Sequence, residues 1–196
     1  MDAKVEVEPA LEDPQQDSGG IRDPPSQPLR RRRAGAAAPL LSCDVGQKTM
    51  AACLLDGTTI LKWKTWEVGQ TAAAFVKSVS FLHADGWLSL PAPRCIIESQ
   101  PKINQKMRRL AHFMEIFLAM HGLAPRPVSP RLKLRLLPEA ELASYYRRKK
   151  ASVAWADAWM AEHPQSPEIV ATWQGAKKKD DLADCLLQAS AYLGDA

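Results

Sequence analysis

The alternation of apolar and polar stretches in residues 40–69 predicts three consecutive β-strands. The runs LLSCDVG and TMAACLLD are each of strand length, and the first ends in a glycine. The pair Asp56-Gly57 is a strong hairpin signal, and the segment TTILKWKTWEV beyond it is rich in β-branched and aromatic residues. Because strands joined by tight hairpins pair antiparallel, we expect the folded part to begin with three antiparallel strands.

Helical and strand-like spacing alternate through the rest of the chain. Apolar residues recur at helical spacing in residues 71–83 and 102–122, and between them RCIIES has the pattern of a short buried strand. A proline-punctuated stretch follows, with one short strand expected around residues 127–129. The segment SYYRRKKASVAWADAWMAEH predicts a helix, PQSPEIVATWQGA a loop, and residues 177–193 a closing helix. This order predicts an α/β fold with a mixed sheet and helices on its faces, not a doubly wound Rossmann fold.

Residues 1–39 differ in composition from the rest of the chain. They contain six prolines, a Gly-Gly pair and almost no large apolar residues, so we expect this segment to be disordered. It includes four consecutive arginines at positions 30–33, which could be a nuclear-import signal, a phosphate-binding arm or a solvated linker. We therefore expect one folded domain, residues 40–196, behind an acidic tail that ends in a basic run.

Charge is distributed unevenly along the chain. Residues 1–29 hold seven acidic and two basic residues, a net charge of −5, so residues 30–196 must carry +9 to give the overall +4. A basic body of this kind suggests a polyanionic partner. No apolar run reaches the roughly 18 residues of a membrane span, and the acidic N-terminus lacks the pattern of a signal peptide. We expect a soluble intracellular protein.

The cysteines and the absence of nucleotide-binding motifs narrow the possible functions. The four cysteines are scattered through apolar stretches without CxxC or Cys/His spacing, so we expect reduced core thiols and no zinc site. The chain contains neither GxGxxG nor the Walker motif GxxxxGK[ST]. Nucleotide-binding functions therefore lose their main support.

Several carboxylates occupy positions that burial alone does not favour. Asp44 ends the first apolar strand and Glu98 ends the fourth, where an ionised carboxylate is costly unless it is paired or bound to a metal. On the last helix Asp181 and Asp184 share a face, and Asp180 and Asp184 could do so as well. Each group also has an ordinary explanation: a turn residue, a helix cap, and a first turn that compensates the helix dipole. Together they could form a ligand set for two divalent cations.

Four blocks of the chain carry a family resemblance. In order, they are Asp44 in DVGQKTMA, Glu98 in IIESQP, the segment YYRRKKASVAWADAWM and the segment KKKDDLADCLLQA. This succession resembles the Holliday junction resolvases of poxviruses and other large DNA viruses, in the RuvC-like branch of the RNase H-like superfamily. The resemblance covers roughly residues 40–193. It implies an RNase H-like fold whose three leading strands are antiparallel.

The resemblance also implies a set of site residues. The implied metal ligands are four carboxylates: Asp44, Glu98, Asp181 and Asp184. They would bind two Mg²⁺ ions, with Mn²⁺ as a possible substitute. Asp180 would replace Asp181 if the last helix begins in a different register. The resemblance also implies a lysine beside the scissile phosphate. In the run RRKK, Lys150 is the first choice for it and Lys149 the second. The alternative explanation of this basic run is a solvated helix start.

The implied activity is a metal-dependent DNA endonuclease that resolves four-way junctions by paired symmetric nicks. It would act as a homodimer on branched DNA during viral recombination and replication, in the host cytoplasm or nucleus. Two rivals remain: an RNase H-like nuclease that cuts RNA–DNA hybrids or flaps, and a non-catalytic DNA-binding protein. The chain departs from the family at Ser99, where a basic residue is frequent, and RLKLRLLPEAELAS does not align, so the substrate-contacting loop is unassigned.

Overall fold

The computed structural model describes residues 38–89 and 93–194. The arginine run at 30–33 and all but the last two residues of the predicted disordered segment lie outside these ranges.

Three antiparallel strands open the described part of the chain, as the sequence predicts. They are β1 (Leu40–Val45), β2 (Thr49–Asp56) and β3 (Thr59–Glu67). β2 pairs antiparallel with both of its neighbours. In the turn between β2 and β3, Gly57 has a φ of 60°, a left-handed conformation that glycine adopts at no steric cost.

Two further strands make the sheet mixed. β4 (Arg94–Glu98) pairs parallel with β1, and β5 (Arg126–Val128) pairs parallel with β4. The strand order is β3-β2-β1-β4-β5. Because β1, β4 and β5 run in the same direction, their carboxyl ends meet at one edge of the sheet.

Helices connect the later strands and complete the described part of the chain. They are α1 (Ala72–Val79), α2 (Phe81–Ala84), α3 (Gln105–Met120), α4 (Arg131–Leu134), α5 (Tyr145–Glu162), α6 (Pro167–Gly175) and α7 (Lys179–Gly194), with a 3₁₀ helix (Glu139–Ala143) before α5. Across residues 38–89 and 93–194, no helix is both long and apolar enough to cross a membrane.

Successive residues of the central strands face two separate hydrophobic cores. Leu41 of β1 belongs to a buried cluster with Phe75 of α1 and Met114 of α3. Its neighbour Leu40 belongs to a second cluster, with Leu186 of α7 and residues of α5 and α6. This division follows from the two-residue period of a strand. The predicted helices on both faces of a mixed sheet are confirmed.

The segment PQSPEIVATWQGA is not a loop, and that prediction is wrong. Residues 167–175 of this segment form α6. Ser166 caps its N-terminus by accepting a hydrogen bond from the backbone N–H of Ile169, and Pro167 occupies the first turn, where a missing N–H costs nothing. Trp173 of α6 then stacks on Trp63 of β3, with ring centroids 5.1 Å apart. A local capping signal and a long-range stack thus favour a helix in this segment.

The prediction of reduced core thiols is confirmed. All four cysteines, Cys43, Cys53, Cys95 and Cys185, are free and buried. Burial raises the pKa of the Cys53 thiol, because the thiolate is costly to form away from water. These residues serve as small apolar core side chains.

Candidate active site

The parallel pairing of β1 and β4 brings two predicted site residues together. Asp44 and Glu98 each follow the last paired residues of the two strands, Cys43 and Ile97. Both side chains are largely buried, with 18% of Asp44 and 13% of Glu98 exposed. The two carboxylates therefore lie side by side at the carboxyl edge of the sheet.

Helix α7 carries the other two carboxylates to the same edge. Its middle is anchored to the sheet because Gln188 donates a hydrogen bond of 3.1 Å to the Ser42 hydroxyl, and the Trp63 indole donates one of 3.0 Å to the Leu182 carbonyl. At its first turn, the hydroxyl of Thr49 donates a hydrogen bond of 2.8 Å to Asp181 Oδ2. These contacts fix the first turn of α7 beside the end of β1.

All four predicted carboxylates line a single cleft of about 470 Å³: Asp44, Glu98, Asp181 and Asp184. Asp180 does not line it; its carboxylate forms an ion pair with Lys149. The structure therefore turns Asp181, rather than Asp180, toward the other carboxylates.

Lys133 of α4 also lies in the cleft, and sequence reasoning missed it. Its Nζ is 2.7 Å from Glu98 Oε2, 2.7 Å from Asp184 Oδ2 and 4.0 Å from Asp44 Oδ1. Only 12% of the side chain is exposed. Lys133 belongs to the segment that does not align with the resembled family. One signal could have identified Lys133. If β5 is parallel to β1 and β4, it ends at the same edge of the sheet, so the residues just after it must approach Asp44 and Glu98.

The carboxylates and Lys133 strongly perturb one another. Burial raises the pKa of Asp44 to about 8; Lys133 opposes this shift, while Glu98 and the α7 carboxylates add to it. The 18% of the side chain that remains exposed limits the burial penalty. Burial disfavours the charged form of Lys133, but Asp44, Glu98 and Asp184 outweigh it and raise the pKa of the ammonium. Lys133 alone does not balance the four carboxylates, and Arg131, Arg148 and Lys149 bring further positive charge to the wall of the cleft.

The two lysines nominated from the sequence lie in different environments. Lys149 lines the cleft, pairs with Asp180 and lies 5.1 Å from the centroid of the Tyr145 ring. Its pKa is raised, since the hydrogen bonds to Asp180 and Tyr145 outweigh partial burial. Lys150 is exposed and is not among the residues that line the cleft.

The donor set fits a hard divalent cation. Carboxylate oxygens suit Mg²⁺ or Mn²⁺. Glu98 Oε2 is buried and has no hydrogen-bond donor among the described residues: the Lys133 ammonium is close, but the contact is an ion pair without hydrogen-bond geometry. Among the residues that the structure describes, no three or more His, Cys, Asp or Glu side chains are arranged so that they could hold a metal ion. We attribute this to Lys133, whose ammonium occupies the space that Asp44, Glu98 and Asp184 would share around an ion.

Solved structures of Holliday junction resolvases resemble this architecture. The fowlpox virus resolvase, solved with Holliday junction DNA, is 16% identical, with a TM-score of 0.56 over 80% of this chain and 97% of that one. The RuvC protein of Thermus thermophilus, also solved with a Holliday junction substrate, is 11% identical, with a TM-score of 0.53 over 82% and 97%. The yeast mitochondrial Holliday junction resolvase is 13% identical, with a TM-score of 0.52 over 80% and 79%. The chain has the RNase H-like fold of these resolvases.

This likeness is one of structure alone. No protein-family model and no curated protein matches the sequence. Two further predictions are nevertheless confirmed: the RNase H-like fold and the antiparallel pairing of its first three strands.

Proposed function

We propose that the chain is a divalent-metal-dependent DNA endonuclease that resolves Holliday junctions and other branched DNA. One observation carries the proposal: carboxylates from two strand ends and one helix line a single cleft. The fold around that cleft is shared with the fowlpox virus and Thermus thermophilus resolvases, both solved with Holliday junction DNA. The fowlpox likeness also supports a role in processing viral recombination and replication intermediates, in the cytoplasm or nucleus of the host.

In this proposal the carboxylates hold two metal ions, Mg²⁺ or its substitute Mn²⁺. The proposed ligands are Asp44, Glu98, Asp181 and Asp184. Bound by these residues, such ions would supply an activated water and stabilisation of the leaving oxygen for an in-line phosphodiester displacement, which would leave 5′-phosphate and 3′-hydroxyl ends. The chain orients these ligands through β1, β4 and the anchored first turn of α7. The Thr49 hydroxyl holds one Asp181 oxygen, so the other is left to face the cleft.

Positive side chains on the cleft wall suit the phosphate. Arg131, Arg148 and Lys149 line the cleft beside the carboxylates. Of the two lysines that the sequence nominates, we favour Lys149 over Lys150 as the one that offsets charge in the transition state, because only Lys149 lines the cleft. In the metal-free protein, Lys133 reduces the repulsion among the carboxylates.

The test is cleavage of labelled synthetic four-way junctions, linear duplexes and RNA–DNA hybrids, each with Mg²⁺ or EDTA. We expect paired symmetric nicks in the junction alone and only with Mg²⁺. Glu98→Gln and Asp184→Asn should abolish them, whereas Glu162→Gln, which removes an exposed carboxylate on α5, should not. Equal cutting of hybrids would favour the RNase H-like rival. Junction binding without Mg²⁺-dependent cutting would favour the non-catalytic rival.

Two neighbouring aspartates provide a matched comparison for the ligand assignment. Asp181 lines the cleft and Asp180 does not, so Asp181→Asn should lower junction cleavage by about 100-fold or more, and Asp180→Asn far less. The comparison keeps residue type and helix position nearly constant. The opposite ranking would assign the metal to Asp180.

We also propose that the enzyme acts as a homodimer, because paired nicks require two active sites on one junction. Light scattering at micromolar concentration tests this directly. A monomer in the presence of junction DNA would contradict the paired-cut scheme without removing the single-site chemistry.

A further inference from the structure

A second, larger cleft of about 1010 Å³ lies along the edge of the sheet at β4 and β5. Its charged lining residues are all arginines: Arg94, Arg126, Arg131 and Arg135. No carboxylate belongs to its lining in the part of the chain that the structure describes. Four guanidinium groups around one concave surface favour a polyanion, because each can bind a phosphate group through two hydrogen bonds.

Arg94 provides an independent sign of a missing acceptor. As the first residue of β4, it donates its backbone N–H to the Pro39 carbonyl at 2.8 Å, so its main chain is fixed. Its side-chain Nε is buried and has no hydrogen-bond partner among the described residues. A buried donor without an acceptor is unfavourable. Arg94 lines this cleft, so an anion bound there would lie against the residue that lacks an acceptor.

The arginine cleft is connected to the carboxylate cleft. Arg131 lines both, and the short helix α4 carries Arg131 together with Lys133, which contacts the carboxylates. The arginine cleft also extends far from the carboxylates. Arg94 is four residues before Glu98 on β4, about 13 Å at ~3.3 Å per residue. This distance corresponds to about four nucleotides of a DNA strand.

We propose that the arginine cleft binds the phosphodiester backbone of the DNA substrate outside the cut, about four nucleotides from the scissile phosphate. Arg131 guides the strand from one cleft into the other, and Arg94 and Arg126 hold its phosphates. The inference rests on the proposed function only in taking branched DNA to be the substrate. DNA binding through this cleft does not require cleavage, so it can be tested separately.

Binding of a labelled four-way junction in EDTA is the first test. Arg126→Gln and Arg135→Gln each change an exposed lining residue, and Lys77→Gln on α1 removes one exposed charge from the helices on the other face of the sheet. We expect each arginine variant to weaken binding about fivefold or more and to lower the slope of log K against log salt concentration by about 0.9. Lys77→Gln should change neither. Arginine variants that match Lys77→Gln would overturn the proposal.

Crosslinking gives the position of the strand. Since the native cysteines are all buried, a thiol introduced by Arg126→Cys can be labelled selectively with a benzophenone maleimide. Arg126 pairs with Ile96, two residues before Glu98, so it lies about 7 Å along the sheet from that residue. We expect light-induced crosslinks to DNA about two to four nucleotides from the cut, and none above background from a matched Lys77→Cys label. Crosslinks at the cut itself, or equal crosslinks from both labels, would overturn the assignment. Lack of cleavage with these crosslinks intact would reject the nuclease and keep the DNA-binding cleft.

Discussion

Lys133 shows how one residue determines the electrostatics of the candidate site. Asp44, Glu98 and Asp184 converge on its ammonium, and its side chain is at least as buried as any of theirs. A cluster of carboxylates without a cation would repel itself at the edge of a hydrophobic core. Lys133 therefore stabilises the metal-free carboxylate cluster, and its ammonium must move away if a divalent ion binds the same oxygens.

Lys133→Met tests this competition. Without the ammonium, we expect the metal-free protein to lose about 3 kcal/mol of stability, because buried carboxylates are left unpaired. We also expect tighter Mn²⁺ binding, because the internal competitor is gone. Thermal unfolding in EDTA measures the first effect, and titration calorimetry with Mn²⁺ the second. Lys77→Met, at an exposed site on α1, is the control. Unchanged or weaker Mn²⁺ binding in Lys133→Met would contradict the competition.

The raised pKa of Asp44 predicts how stability depends on pH without metal. Its folded-state pKa is about 8, against an ordinary value of 3.8. The folded protein thus holds a proton on Asp44 that the unfolded chain has lost, so the contribution of Asp44 to stability falls as pH rises between about 4 and about 8. At about 1.4 kcal/mol per pKa unit, even part of this shift is measurable. We expect the Tm in EDTA to decrease across this window.

Asp44→Asn removes the titrating group and supplies the control for this pH profile. The variant should show a flatter dependence of Tm on pH than the native chain. If both proteins lose the same stability across the window, the proton belongs to another residue.

At the scale of elements, α6 packs on the sheet through the buried side chains of Ile169 and Trp173. Trp173 lies 5.1 Å from Trp63 with the rings nearly parallel, and its indole N–H donates a 2.7 Å hydrogen bond to Asp157 Oδ1. We expect Trp173→Ala to cost about 3 kcal/mol or more in urea unfolding, since it removes a large buried side chain. The exposed neighbour Gln174→Ala should cost little. Equal effects would mean that α6 contributes no specific packing.

Local signals predicted some elements well and others poorly. The hairpin signal at Asp56-Gly57 and the apolar stripe of α7 each lie within a short stretch of sequence. The β2–β3 hairpin and α7, with its Asp181 and Asp184, could therefore be predicted. The capping residue Ser166 was also a local signal, but the sequence prediction did not use it. The short strand expected around residues 127–129 is present as β5, whereas its parallel pairing with β4 is a long-range feature. A single sequence contains no direct record of that pairing, so Lys133 could be placed at the site only by assuming that β5 runs parallel to β4.

At the scale of the whole molecule, the four site carboxylates line one cleft, and the charged residues that line the other are arginines. The carboxylate cleft suits metal ions, and the arginine cleft suits the backbone that those ions would help to cut. Both lie against the parallel half of the sheet. Under the proposed function, a basic body with a local acidic site would separate attraction of the substrate from the chemistry performed on it.

The reactivity of the native cysteines measures whether the packing on both faces of the sheet is intact. Cys43 and Cys95 belong to the core under α1 and α3, and Cys53 and Cys185 belong to the core under α7. All four thiols are buried, with Cys95 3% exposed and the other three 0%, and burial disfavours the thiolates of Cys53 and Cys185. A thiol reagent can therefore reach them only after the packing opens. We expect Ellman's reagent to detect no thiol in the native protein within minutes and four per chain in denaturant. Rapid reaction of a single thiol would mean that one face opens alone, and it would also identify which helix layer is the less stable.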